Sequence, residues 1–79
     1  MYYTYILHSK KEQKFYYGYT GNLERRIREH KTIKKKYKLV YYESYLIKKD
    51  ALERERYFKS GWGRRYIKKI LKNYLRINR

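Results

Sequence analysis

The chain contains no cysteine and no proline, and only four of its 79 residues are glycine. Without cysteine, disulfide bonds and thiolate metal sites are excluded, and a reducing compartment is expected. A chain of this length forms one domain, so residues 1–79 are expected to fold as a single unit. A small apolar core must then supply the stability that no disulfide provides.

Acidic side chains are also scarce. Seven Asp and Glu stand against 23 Lys and Arg, which gives a formal net charge of +16. The basic residues cluster, because residues 25–38 hold eight of them with one acid and residues 54–79 hold ten with one acid. A surface charge chosen only for solubility would not need this clustering. A strong positive field attracts polyanions, so the charge predicts nucleic acid as the partner.

Long apolar runs are absent as well, so no segment is expected to cross a membrane or to lie in its surface. The first four residues, Met1-Tyr2-Tyr3-Thr4, contain no basic segment followed by an apolar run. No secretory signal is therefore predicted. We expect a cytoplasmic protein that associates with nucleic acid.

Tyrosine, in contrast, is abundant, with thirteen residues in the chain. Aromatic and β-branched residues are concentrated in Tyr2–Leu7, Phe15–Thr20 and Lys38–Leu46, which predicts three strands, the first two joined as a hairpin. A helix is predicted to follow the hairpin, with Asn22 as its N-cap and an end near Lys31 or Ile33.

Two more helices are predicted in the second half of the chain. Asp50 and Glu53 have the spacing of a capping box that would open the first of them, and Gly61 would end it in the left-handed conformation. The last helix would have one apolar face, made of Ile67, Ile70, Leu71, Tyr74 and Leu75. The order β-β-α-β-α-α predicts an α+β fold, with a three-stranded, mainly antiparallel sheet flanked by helices.

One carboxylate lies where packing alone would not place it. On the second predicted helix Ala51, Leu52 and Phe58 mark the inward face, and Glu55 falls between them, while Glu53 points the opposite way. A carboxylate among apolar residues is costly unless it is paired, hydrogen-bonded or bound to a metal. Spacing alone favours an intramolecular salt bridge over a metal ligand.

The first predicted helix carries a similar pair. Arg26 and His30 lie four residues apart on one face, at the edge of the apolar stripe. An arginine fork matches phosphate oxygens, and a histidine exchanges protons near neutral pH. The alternative is a structural histidine beside one solvated arginine among many. In the second strand, Gly18 interrupts an aromatic run, which indicates a close backbone approach or a bulge.

Taken together, these positions resemble the GIY-YIG nuclease family over nearly the whole chain. The two motifs that name the family correspond to Tyr3-Thr4-Tyr5 and Tyr16-Tyr17-Gly18, although Tyr3 replaces the first glycine. Arg26 lies ten residues after Tyr16, where the family has its invariant arginine, and His30 occupies a position that is histidine in many members. The run Ala51-Leu52-Glu53-Arg54-Glu55 looks like the family helix whose final Glu binds a divalent metal.

The segment Leu52–Arg65 resembles short stand-alone members of the family, related to the N-terminal domain of the bacterial excinuclease C subunit. The resemblance implies an endonuclease that hydrolyses phosphodiester bonds in DNA repair or processing. Its Glu55 would hold one Mg²⁺ or Mn²⁺. Arg26 would neutralise charge that develops at phosphorus. The attacking water would be positioned and deprotonated by Tyr5 with Tyr16 as its partner, and His30 is the alternative base.

Backbone contacts without sequence preference are expected from seven basic residues. They are Arg25, Lys34, Lys35, Lys36, Lys59, Arg64 and Arg65. DNA is favoured over RNA as the nucleic acid, and a place in a larger repair complex is compatible with this interpretation. The alternatives are a non-catalytic DNA- or RNA-binding module of the same fold and a module that tethers a partner enzyme to DNA. Binding alone would not require Tyr5, Tyr16, Arg26 and Glu55 together.

Overall fold

The structure, a computed structural model, describes residues 1–33 and 36–78, except for the side chains of residues 30–33. It contains, in chain order, β1 (Tyr2–Ser9), β2 (Lys14–Thr20), α1 (Leu23–Ile33), β3 (Tyr37–Tyr45), α2 (Lys48–Phe58), α3 (Gly61–Ile70) and α4 (Lys72–Ile77). The predicted order of elements is confirmed. The last predicted helix is divided into two helices, α3 and α4, by an interruption at Leu71. Within the described ranges no helix has the length and apolar character needed to cross a bilayer.

The three strands form one antiparallel sheet in the order β2-β1-β3, which confirms the predicted α+β fold. The central strand β1 pairs on both sides, so that Tyr5 stands opposite Gly18 on β2 and opposite Tyr42 on β3. The pairing with β3 shifts register between Ile6 and Leu7, whereas the pairing with β2 continues without a shift.

One face of the sheet carries the hydrophobic core. Ile6 of β1 packs against Phe58 of α2, Ile67 of α3 and Leu71, which follows α3. On the same face the buried hydroxyl of Thr4 donates a 2.6 Å hydrogen bond to the carbonyl of Ala51. Helices α2 and α3 therefore cover this face, and α2 is bound to the central strand by both apolar and polar contacts.

Because successive side chains of a strand point to opposite faces, Tyr3, Tyr5 and Leu7 occupy the other face. Helix α1 lies on that side, where its Leu23 and Ile27 line a groove together with Tyr3, Leu39 and Tyr42. The sheet is thus enclosed between α1 and the layer formed by α2 and α3. A catalytic group from α1 and one from α2 must approach the sheet from different layers.

The N-cap of α1 is confirmed, because the Asn22 side chain accepts a 3.0 Å hydrogen bond from the backbone N–H of Arg25. The predicted capping box on α2 is wrong. This helix begins at Lys48, two residues before Asp50, and its N-cap Ile47 makes no side-chain cap. Asp50 lies inside the first turn, where its negative charge interacts favourably with the helix dipole. Packing of Ala51 against β1 thus places the helix without a local cap.

The predicted role of Gly61 as the left-handed end of α2 is also wrong. No described glycine has a positive φ, and Gly61 is the first residue of α3. The cap residue is Ser60, whose hydroxyl accepts a 3.1 Å hydrogen bond from the N–H of Gly63. A Cβ on Gly63 would lie 2.0 Å from the carbonyl oxygen of Tyr57. The local sequence contains a glycine because α3 approaches the end of α2 closely, and that approach depends on tertiary packing.

Candidate active site

Tyr5 lies at the centre of the sheet and is fully buried. Its ring extends across Gly18, where an added Cβ would come within 2.3 Å of the tyrosine hydroxyl oxygen and 2.4 Å of Cζ. The position of Gly18 in the strand had indicated a bulge or the close approach of another backbone. The structure shows neither at this position. Gly18 leaves room for an aromatic ring, and this room lets the Tyr5 hydroxyl reach the edge strand β2.

Three other predicted site residues act on this hydroxyl. Burial raises the pKa of Tyr5 above its ordinary value, and the Arg26 guanidinium, which is also hydrogen-bonded to Tyr5, opposes that rise. Tyr16 and the Glu55 carboxylate raise the pKa further through their charges. The structure therefore brings Tyr16, Arg26 and Glu55 within electrostatic reach of the Tyr5 hydroxyl. Arg26 comes from the α1 layer and Glu55 from the α2 layer, and each acts on the Tyr5 hydroxyl.

Arg26 has an unsatisfied donor at this point. Among the residues that the structure describes, its Nε atom is buried and has no hydrogen-bond partner. A buried N–H without a partner costs about 1–3 kcal/mol. A planar guanidinium fork binds two oxygens of a phosphate or a carboxylate, so an oxyanion at this position would satisfy the donor.

Glu55 has both an apolar setting and an ion pair. Its side chain is only 23% exposed, and its Oε2 lies 3.6 Å from Nζ of Lys59, the C-cap residue of α2. The intramolecular salt bridge that spacing favoured is thus present. Exposed pairs at this helical spacing contribute about 0.3–0.5 kcal/mol, however, and a lysine stem can move its charge to another anion. Glu53 is exposed, as the helical phase predicts.

The donors around Glu55 limit the kind of metal site that could form there. No group of three or more His, Cys, Asp or Glu side chains occurs in the described part of the chain. Mg²⁺ in enzymes commonly keeps several waters and binds one or two carboxylates together with substrate phosphates. A single carboxylate next to an arginine suited to phosphate fits that mode, and it does not fit a closed cage of protein ligands.

Three of the remaining predicted site residues cannot be placed. The side chain of His30 and the whole of Lys34 and Lys35 lie outside the described residues. The backbone of His30 belongs to α1, one turn after Arg26. Its assignment as the alternative base stays a prediction, as do the phosphate contacts of the two lysines.

The other predicted basic residues are exposed on two sides of the molecule. Arg25 on α1 pairs with Glu29 over 3.4 Å. Lys36, just before β3, pairs with Glu12 of the hairpin turn. Both are surface ion pairs with a neighbouring acid, so a phosphate backbone could replace either carboxylate at little cost.

The remaining three basic residues, Lys59, Arg64 and Arg65, cluster where α2 meets α3. Nη2 of Arg64 donates a 3.3 Å hydrogen bond to the carbonyl of Lys59, and Lys59 is the residue paired with Glu55. Arg64 also acts electrostatically on Tyr17, whose pKa is raised by burial and lowered by this guanidinium. This cluster therefore adjoins the candidate metal-binding carboxylate.

A second charged network was not predicted. The Glu43 carboxylate on β3 accepts hydrogen bonds from Nε and Nη2 of Arg54, at 2.8 and 3.2 Å, and from the hydroxyls of Tyr41 and Tyr45. Burial by itself would raise the pKa of Glu43, but the hydrogen bonds from Arg54 and the tyrosines outweigh it and hold that pKa below its usual value. Burial and the Glu43 contact raise the pKa of Tyr45 to about 12.

The same arginine stacks on the aromatic layer. The guanidinium carbon of Arg54 lies 4.8 Å from the ring centre of Phe58 and 5.0 Å from that of Tyr66. Arg54 thus ties α2 to both β3 and α3, immediately before Glu55. An acid within an aromatic strand and an arginine next to Glu55 were visible in the sequence, but their pairing across the fold was not.

Comparisons with known proteins identify the family of the chain. The sequence model of the family described as "GIY-YIG catalytic domain" matches residues 1–70, which include every element from β1 to α3. A UPF0213 protein of Limosilactobacillus reuteri (strain DSM 20016) is 38% identical over 80 aligned residues, covering 89% of this chain and 82% of that protein. No solved structure gives a significant match.

Proposed function

Because the chain belongs to the GIY-YIG catalytic-domain family, a family of nuclease domains, we propose that it is a divalent-metal-dependent endonuclease that hydrolyses phosphodiester bonds. The observation that carries this proposal is the buried Tyr5 hydroxyl beside Gly18, which is hydrogen-bonded to Arg26, an arginine whose buried Nε has no partner among the described residues. Tyr16 and Glu55 act on the same hydroxyl through their charges. A module that only binds nucleic acid needs surface cations, which this chain has in excess. It does not need a buried tyrosine that is hydrogen-bonded to an arginine and acted on by the charge of a glutamate.

Arg26 would bind the scissile phosphate. Its buried Nε lacks a partner among the described residues, and a phosphate oxygen would supply one. Charge accumulates on the phosphate oxygens as water attacks phosphorus. A fixed guanidinium at that point stabilises the transition state more than the ground state.

Glu55 would hold one Mg²⁺ or Mn²⁺, with waters and phosphate oxygens completing the coordination. The ion, when bound, supplies Lewis-acid charge at the phosphate and at the leaving oxygen. Lys59 would give up its pair with Glu55 and move its ammonium to a neighbouring phosphate. Its flexible stem permits this exchange without a change in the helix.

Tyr5 would position the attacking water. Its raised pKa keeps the hydroxyl protonated at neutral pH, so the phenol acts first as a hydrogen-bonding group that orients the water. Arg26 is the group that favours loss of the phenol proton, because it lowers the pKa. Tyr16 would share the water with Tyr5, and His30 remains the alternative base.

We propose DNA, in preference to RNA, as the nucleic acid that the protein binds. Its role would be DNA repair or processing in the cytoplasm, as part of a larger repair complex. The net charge of +16 supports a nucleic acid of either kind. The seven basic residues would hold its backbone without reading the bases. A non-catalytic module with the same fold is the competing function.

The experiment compares Glu55→Gln with the parent protein on single-stranded, duplex and branched DNA, with and without Mg²⁺ or Mn²⁺. Glutamine keeps the side-chain volume but removes the charge that a hard cation needs. We expect cleavage to fall by about 100-fold or more while DNA binding is maintained. The melting temperature should hardly change, because the lost ion pair with Lys59 is a weak one.

The matched control is Glu53→Gln, which makes the same chemical change on the exposed side of α2. It should leave cleavage unaltered. A Glu55→Gln protein that cuts at the parent rate, with a lowered melting temperature, would show that Glu55 serves only its salt bridge. A parent protein that binds DNA but cuts none of the substrates with either metal would identify the non-catalytic module.

A further inference from the structure

The one tryptophan of the chain, Trp62, is 71% exposed. It lies in the first turn of α3, beside the basic cluster of Lys59, Arg64 and Arg65. The Arg65 guanidinium carbon is 5.0 Å from the Trp62 ring centre, so a cation already lies over part of the indole. The core does not use this large aromatic surface, and its surroundings are cationic.

Trp62 is also held on a rigid element. The Ser60 hydroxyl caps α3 by accepting a hydrogen bond from Gly63, and Gly63 fits against the Tyr57 carbonyl with no room for a Cβ. The backbone from which the Trp62 side chain extends is therefore held in a fixed position relative to α2. A rigid aromatic side chain loses little conformational entropy when it binds a flat ligand.

Three contacts, with one step along α3 from Arg64 to Arg65, link this side chain to Glu55 of the candidate active site. Lys59 pairs with Glu55 over 3.6 Å, and Arg64 donates to the Lys59 carbonyl over 3.3 Å. Arg65 follows Arg64 in α3 and lies over Trp62. The surface beside the Glu55 carboxylate thus carries the basic cluster first and the exposed Trp62 indole beyond it.

We propose that Trp62 is a stacking platform for an unpaired nucleobase, and that Lys59, Arg64 and Arg65 bind the phosphates on either side of it. An indole face with adjacent cations is how proteins hold single strands, because every base has a face to stack and every linkage has a charge. Bases inside a duplex already stack on their neighbours. The substrate class is therefore nucleic acid with single-stranded or splayed nucleotides next to the cleavage point. This inference rests on the proposed function.

Charge complementarity decides between the possible occupants of this surface. A second copy of the chain would bring its own net charge of +16 to the cationic cluster, and the two would repel each other. An unstacked nucleotide brings both an aromatic face and a negative charge. It therefore matches both features of the Trp62 surface.

The test uses the fluorescence of Trp62, which has no other tryptophan to obscure it. The full chain is titrated with three DNA probes of about 12 nucleotides: a single strand, an abasic strand and a blunt duplex. Anisotropy of an end label on each probe reports binding independently. We expect all three to bind at low salt and only the single strand to quench the tryptophan strongly, because only it offers free bases.

A variant adds a second measurement. Trp62→Leu keeps an apolar side chain but removes the stacking face, and it should weaken single-strand binding by about tenfold while hardly affecting the abasic strand. Leu46→Ala is the control, since Leu46 is 77% exposed and lies in the turn between β3 and α2. It should bind all three probes as the parent does. Both variants should melt at the parent temperature, because neither side chain belongs to the core.

The inference fails if single and abasic strands quench Trp62 equally, or if Trp62→Leu binds single strands with parent affinity. It also fails if the tryptophan signal changes with protein concentration alone, which would indicate association of two copies. Those outcomes leave the proposed nuclease function to be judged by Glu55→Gln. Absence of binding to any probe by anisotropy would overturn both proposals together.

Discussion

The Tyr5 hydroxyl lies over Gly18 of the neighbouring strand, 2.3 Å from where a Cβ would stand. The two residues face each other in register on neighbouring strands, and the Tyr5 side chain is fully buried. The glycine of one motif thus makes room for the tyrosine of the other. The hydroxyl placed there is hydrogen-bonded to Arg26 and is acted on by the charges of Tyr16 and Glu55.

Gly18→Ala should therefore displace the Tyr5 ring. We expect cleavage to fall by about tenfold or more, because a small misplacement of a catalytic group carries a large kinetic penalty. Overpacking should lower the free energy of unfolding by about 1–3 kcal/mol. Single-turnover cleavage and thermal melting measure the two effects. Gly21→Ala is the control, since an added Cβ there meets no atom within 4 Å. A Gly18→Ala protein as active as Gly21→Ala would contradict a role for the Tyr5 position.

Gly63→Ala should destabilise the fold more than Gly61→Ala. An added Cβ on Gly63 meets the Tyr57 carbonyl and the Phe58 Cα, which are backbone atoms and cannot turn aside, whereas Gly61 has open space. We expect Gly63→Ala to cost about 3 kcal/mol or more in denaturant unfolding. Gly61→Ala should be neutral or stabilising by about 0.5 kcal/mol, because alanine reduces the entropy of the unfolded chain. Equal stability of the two variants would refute the close packing of α3 on α2.

The Glu43–Arg54 network should make the fold sensitive to acid. The pKa of Glu43 is lowered in the folded state, so its stabilisation is fully present above the unfolded carboxyl pKa of about 4.3 and is lost as pH falls through the folded value. Glu43→Gln should remove that part of the acid sensitivity and cost about 1.5–3 kcal/mol at neutral pH.

The measurement is the free energy of unfolding from neutral pH to about pH 3, for Glu43→Gln and for the control Glu24→Gln on the exposed face of α1. The control should follow the pH dependence of the parent. If Glu43→Gln showed the same pH dependence as the parent, the carboxylate would not be held by Arg54 in solution. A cleavage assay on the same variant would also report whether Arg54 positions Glu55.

Much of the candidate site could be predicted because it depends on local spacing. Helical spacing singled out Arg26 and Glu55 as side chains that packing alone would not place there, although it favoured a salt bridge for Glu55. The roles of Tyr5 and Tyr16 came from the resemblance to the GIY-YIG family. The three-stranded sheet and the Asn22 cap also follow from short segments of sequence. Helical and strand periodicity act over a few residues, so a single chain contains them in full.

The features that the sequence did not predict depend on contacts between elements that are distant in sequence. Helix α2 begins at Lys48, although Asp50 and Glu53 have the local pattern of a helix start, and it is held to β1 by the hydrogen bond from Thr4 to the Ala51 carbonyl. The close fit of α3 on α2 explains Gly63, and Gly61 has no left-handed role. The sequence by itself determined which side chains could perform the chemistry. Only the tertiary structure decided that Glu43 pairs with Arg54 and that the Tyr5 ring crosses Gly18. Side chains on separate elements become partners through the packing of those elements, and local propensity does not specify that packing.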